Sequence, residues 1–265
     1  MIVNRSVWCA AVMLVTVSGL RAVRPATAGS TGDINAAIER GDESYARGQL
    51  REALAAYQVA QSQDATHYAA LFGLARVESE LGEEAKDEER RRLIAAAVEH
   101  ARAAVKAAPE EPQGHVWLAV ALRQQTQMEG PKTRAGLWRE IKSELDRAIG
   151  LDAGIARAYL ERGRWNLRLA SRGFWERTVS KVLLAKVPKG ASMDNALGDL
   201  EKAVELAPET IEARMELARA YLDLERNADA RRELERALGM PVRRPRDPGL
   251  QAEARQLLEK LAKRG

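Results

Sequence analysis

The run I-E-A-R-M-E-L-A-R-A-Y-L-D-L-E-R-N-A-D-A-R-R-E-L-E-R-A-L-G at 211–239 reads as two amphipathic helices joined by a short polar turn. Leu217, Ala218 and Tyr221 share one face of the first helix, and Ala230, Leu234 and Ala237 share one face of the second. Three- and four-residue spacing brings side chains together on an α-helix. Working upstream, Tyr159, Gly163 and Leu167, then Ala196, Leu200, Ala203 and Pro208, repeat the pattern around a longer middle. Earlier still come Trp117, Leu118, Ala119 and Leu122 with Ile141, Leu145 and Ala148. Before them stand Leu71, Leu74 and Ala75 with Ala97, Ala101, Ala104 and Pro109, and a first unit with Gly41, Gly48, Ala53, Tyr57 and Ala60. Five units result, at about 34–65, 68–109, 112–153, 156–208 and 211–241.

This period resembles the tetratricopeptide repeat (TPR), a helix–turn–helix unit of about 34 residues. The resemblance implies an all-α fold, a TPR-like right-handed superhelix of antiparallel helix pairs. Gly41, Ala75, Ala119, Gly163 and Ala218 stand where paired helices cross closely, and Ala53, Ala60, Ala104, Ala203 and Ala237 line the second helices. Larger residues there overpack, at about 1–3 kcal/mol. A last amphipathic helix over 249–263 presents Leu257, Leu258 and Leu261, as expected of a cap on the open end of a repeat array. Extra length falls in the charged stretch 83–92, before Ile141 at Gly130-Pro131, and at 173–190.

Composition agrees with close-packed helices: 46% of residues are apolar but only 5% aromatic. Residues 1–28 read as a secretory signal peptide, with Arg5, an apolar Val7–Leu20 stretch and the small-x-small pattern Ala26-Thr27-Ala28. Cleavage there predicts a periplasmic or secreted protein. It also removes three arginines, lowering the formal charge from +4 to +1, so the high overall pI is no argument for nucleic acid. Cys9 is the sole cysteine, so the rest of the chain has no thiol for a disulfide, for zinc or for nucleophilic work.

A narrower resemblance rests on W-L-A-V-A-L-R-Q-Q at 117–125, E-G-P-K-T-R at 129–134, L-D-R-A-I-G-L-D at 145–152, G-R-W at 163–165, G-F-W-E-R at 173–177 and V-P-K-G-A-S at 187–192. In that order they resemble the regulator of microtubule dynamics family, over roughly residues 70–263. The resemblance implies an all-helical, non-enzymatic domain. Eukaryotic relatives are associated with microtubules or with contacts between organelle membranes, and lipid binding has been proposed for the repeat domain. The signal peptide sets this chain apart from the relatives' cytoplasmic setting.

In TPR arrays the first helix of each unit lines a concave face that serves binding. The register places Tyr45, Phe72, Val116, Val120, Leu160, Leu167, Met215 and Leu222 there, together with Arg76, Arg123, Arg164, Arg168 and Arg219. Arginines on an apolar channel suit a carboxylate or phosphate, with Arg164 and Arg168 as the central pair. The opposing expectation is that Glu80, Glu161, Glu216 or Asp223 pairs with them. Phe174, Trp175, Arg177 and Lys181 belong to an insert that either packs as a lid or touches a membrane surface. His67, His100 and His115 show no ligand spacing, and no phosphate-binding loop or nucleophile elbow occurs. No catalytic residue, metal or cofactor is expected. The expected partner is a protein or peptide, with an anionic phospholipid as the alternative and peripheral membrane contact as a lesser one.

Overall fold

A computed structural model describes residues 31–170 and 190–263. Eleven α-helices account for them: α1 (Thr31–Ala46), α2 (Leu50–Gln63), α3 (Tyr68–Glu84), α4 (Asp87–Ala107), α5 (Pro112–Gln125), α6 (Pro131–Leu151), α7 (Ala156–Ala170), α8 (Met193–Leu206), α9 (Ile211–Asp223), α10 (Asn227–Leu238) and α11 (Asp247–Ala262). Odd- and even-numbered helices pair as antiparallel hairpins in a TPR-like arrangement, and α11 packs on α9 and α10.

Two layers follow from which helices touch. Each first helix contacts the next first helix, α1 to α3, α3 to α5, α5 to α7, α7 to α9 and α9 to α11, whereas the second helices pack only within their hairpin and against the following first helix. An inner layer in contact with itself, under an outer layer that is spread apart, gives the array a concave inner side. The innermost helix, α5, is buried on every residue from Gly114 to Leu122.

Small residues set the hairpin spacing. A Cβ on Gly163 would lie 2.6 Å from Leu200 Cγ, and one on Gly41 2.5 Å from the Tyr57 ring. Gly73 on α3 meets the same ring at 2.6 Å, so Tyr57, fully buried, is clamped between two glycines. At the α1–α2 turn Gly48 adopts φ +72°, and the matching turn between α9 and α10 puts Glu225 at φ +57°, a region that favours glycine. Pro112 and Pro131 start α5 and α6, where the missing N–H costs nothing. The charged stretch 83–92 ends α3, turns at Ala85–Lys86 and begins α4, whose first turn carries Asp87, Glu88 and Glu89 at the positive end of the helix dipole. At the far end Gln251 Nε2 donates to the carbonyls of Ala237 and Met240 at 3.2 and 2.9 Å, so α11 also caps the end of α10.

Candidate functional site

The inner layer does not present an open channel. Residues 244–246, in the turn before α11, reach across the concave side to the second repeat. Arg246 Nη1 pairs with Glu83 on α3 and, at 2.9 Å, with Glu212 on α9. Pro245 lies 3.9 Å from where a Cβ on Gly48 would stand. The turn is pinned by Asp247, buried, whose Oδ2 accepts the backbone N–H of Arg243 and of Arg244, both at 2.9 Å.

Beneath this strap lies a network of ion pairs. Glu161 on α7, 2% exposed, meets Arg123 at 2.8 Å, Arg157 at 3.0 Å and Arg164 at 2.9 Å. Glu212 on α9, also 2% exposed, meets Arg157 at 3.0 Å and Arg164 at 2.7 Å, besides Arg246 and, at 3.7 Å, Arg244. Glu216 joins Arg164 at 2.9 Å to Arg219 at 2.6 Å, and Arg219 reaches Glu253 on α11. Burial alone would raise both buried carboxyls, but the surrounding guanidiniums reverse the sign. Glu161 is held down at about 2, chiefly by Arg123 against that desolvation, and Glu212 well below the usual carboxylate range by Arg157 and Arg164.

Between the network, α3, α5 and the strap is a cavity of about 190 Å³, lined among others by Ser79, Glu80, Glu83, Glu84, Trp117, Gln124, Arg157 and Arg246. Gln124 is tied through its nitrogen, donating to Ser79 O at 3.0 Å and Glu83 Oε1 at 3.2 Å. Its Oε1, Ser79 Oγ and Arg157 Nε are buried without a protein partner among the described residues. Glu80 accepts from the Tyr45 hydroxyl at 2.6 Å, and burial pushes the Glu80 carboxyl up.

The residues expected on the groove fall into three places. Arg123, Arg164 and Arg219 belong to the ion-pair network. Arg76 sits one repeat away, donating to Asp42 at 3.1 Å and to the Tyr57 hydroxyl at 2.8 Å, with its guanidinium over the Tyr45 ring at 3.7 Å. Arg168 is exposed, with its guanidinium 5.9 Å from the Trp138 ring centroid. Leu160 and Met215, expected to face a ligand, are core residues, 2% and 0% exposed; Val116 is equally closed off, and Leu167 packs half-buried beside them. Phe174, Trp175, Arg177 and Lys181 lie outside the described residues.

Sequence reasoning missed Ser79, Glu83, Trp117, Gln124, Arg157 and the strap. Trp117, Val120 and Gln124 follow three-and-four spacing on α5, a signal that was present. On α5, however, every central position is apolar or small, so periodicity does not choose the inner face.

Two of the three histidines are held by hydrogen bonds to neighbouring elements. His100 Nδ1 faces Glu78 at 2.7 Å; His115 lies 2.6 Å from Glu144 and 2.9 Å from Pro109 O. Among the described residues no group of three or more His, Cys, Asp or Glu side chains is placed to hold a metal, and no helix is long and apolar enough to cross a membrane.

A family model for regulator of microtubule dynamics protein 1-3 matches residues 37–262. This chain belongs to that family. Regulator of microtubule dynamics protein 3 of Xenopus laevis is 31% identical over 177 residues, covering 66% of this chain and 38% of the Xenopus protein. Regulator of microtubule dynamics protein 1 of Bos taurus is 28% identical over 232 residues, 85% of this chain and 71% of that protein. In structure, a thermophilic TPR protein from Thermus thermophilus superposes with a TM-score of 0.63 at 23% identity, covering 85% of this chain and 99% of that one. Yeast Tom70 gives 0.51 at 16% identity, covering 88% of this chain and 40% of that one. These likenesses show the TPR fold. Members of the family and of the repeat class are typically non-enzymatic.

Proposed function

We propose that this family member is a non-enzymatic interaction protein that holds a segment of a partner protein on its concave side. One observation carries the reading: the concave side already holds a chain segment, residues 244–246, by charge-assisted hydrogen bonds to α3 and α9. The anionic-phospholipid alternative has less support. Arg76, Arg123, Arg164 and Arg219 each carry a carboxylate partner, and a head group would have to displace it. Export to the cell envelope belongs to the same proposal, and the pattern of residues 1–28 supports it.

Site-specific photo-crosslinking in the native cells tests the reading. A photoreactive residue at Glu84, on the rim of the cavity, is expected to capture a defined protein, and the same residue at Arg102 on an outer helix is not. Adducts to lipid at Glu84, or protein adducts confined to Arg102, would overturn it. N-terminal sequencing of the native protein is expected to begin at Gly29; a chain retaining Met1 would count against export with cleavage.

A further inference from the structure

Resting on that reading, we infer that the cavity beside the strap is the receptor for a cationic side chain, arginine or lysine, carried by the partner's chain. Size comes first. About 190 Å³ exceeds the roughly 150 Å³ that admits a benzene ring, so a guanidinium or an ammonium on its alkyl stem fits.

The polarity of the walls selects the sign. Gln124 cannot turn its amide around, because its nitrogen already serves two acceptors; Oε1 is therefore fixed as an unanswered acceptor at 1% residue exposure. Ser79 Oγ, wholly buried, adds a second group without a partner. Glu80 borders the same space, and Glu84 stands at its exposed rim. A buried acceptor left without a donor keeps its full desolvation cost, which a donor-rich ligand removes. Trp117 supplies an aromatic wall that already tolerates a cation, with the Arg157 guanidinium 5.3 Å from its ring centroid.

Other ligand classes fit less well. An inorganic anion would face Glu80, Glu83, Glu84 and Glu212, and among the described residues no group of three or more His, Cys, Asp or Glu is placed to hold a metal ion; Arg157, Arg244 and Arg246, also on the walls, are already engaged by Glu161 or Glu212. Arg157 Nε–H is an unanswered donor at the cavity, beside the Ser79 hydroxyl, which can donate or accept, and it suits a main-chain carbonyl. A peptide brings both requirements at once: a cation for the acceptors and a carbonyl for the donor. The strap is an internal precedent, since Arg246 already places a guanidinium between Glu83 and Glu212 on the neighbouring wall.

Synthetic Gly-Arg-Pro-Arg-Gly and its citrulline counterpart, which keeps the shape and loses the charge, provide the test. Binding to the full chain is followed by tryptophan fluorescence, and protection of α3 and α5 amides by hydrogen exchange. The arginine peptide is expected to bind about tenfold or more tightly than the citrulline peptide, the factor that a charge-assisted hydrogen bond supplies. The double variant E80Q/E84Q, with its fold checked by circular dichroism, is expected to erase that preference; E84Q alone, at an exposed position, reduces it should the double variant unfold. Equal binding of both peptides to the concave side would overturn the cation inference and leave the peptide-holding reading intact. Absence of protection of α3 and α5 by either peptide would sink both.

Discussion

Arg246 and Glu83 form an ion pair across 163 residues of sequence, joining the turn before the last helix to the end of α3 in the second repeat. A repeat array ordinarily joins each unit only to its neighbours. This contact ties the C-terminal end of the array to its second repeat, and it bounds the cavity on the concave side. Its anchor is Asp247. D247A is expected to cost about 2 kcal/mol, since two hydrogen bonds to a buried carboxylate are lost. Hydrogen exchange checks this: the amides of Arg243 and Arg244 should exchange much faster in the variant while those of α5 stay protected.

Glu212 is the most heavily shared carboxylate in the network, and replacing it leaves several buried guanidiniums under-compensated. E212Q is expected to destabilise by about 3–5 kcal/mol, the cost of removing one member of a buried pair. Urea denaturation of wild type and variant measures it. A loss below about 1 kcal/mol would mean that the network is solvated like a surface pair.

The pH dependence carries a sign. Glu161 titrates at about 2 in the folded chain and near 4.3 when unfolded, so its contribution is fully present above about 4.3 and is lost as pH falls through about 2. Glu78 and Glu80, pushed up by burial, act in the opposite sense, so wild type alone is ambiguous. The difference between wild type and E161Q isolates the group. That difference is expected to shrink steadily from about pH 4.3 to about pH 2, measured as thermal midpoints.

Helix spacing is tested by a pair of glycines on one hairpin. At Gly163 an added methyl collides with Leu200 at 2.6 Å, so G163A is expected to cost about 1–3 kcal/mol by overpacking. At Gly198 nothing among the described residues stands within 4 Å, and G198A is expected to gain about 0.5–1 kcal/mol from the stiffer helix. Ala203, 1% exposed on the same helix, will not accept tryptophan: A203W lowers the thermal midpoint.

The hairpins were legible because their spacing is imposed by short-range packing. Gly163 against Leu200, and Ala203 and Ala237 in their buried rows, recur at fixed intervals that any local reading finds. The cavity was not legible, for two physical reasons. On α5 the apolar residues surround the helix, so nothing local separates Val116, which is core, from Trp117, which borders the cavity. The strap lies in a turn with no period, and its partners Glu83 and Glu212 are brought to it only by the curvature of the whole inner layer. Of the two expectations for Arg164, a ligand or a carboxylate partner, the structure shows the pairing with Glu161 and Glu216.

The central claim, that the turn before α11 closes the concave side onto the second repeat, is most directly tested by a double-mutant cycle between Arg246 and Glu83. R246A, E83A and the double variant are unfolded in urea alongside wild type. A coupling of about 1 kcal/mol or more between residues so distant in sequence is predicted, within the range for groups in direct contact. Additivity to within about 0.3 kcal/mol would contradict the closed arrangement, and with it the cavity and the peptide site built upon it.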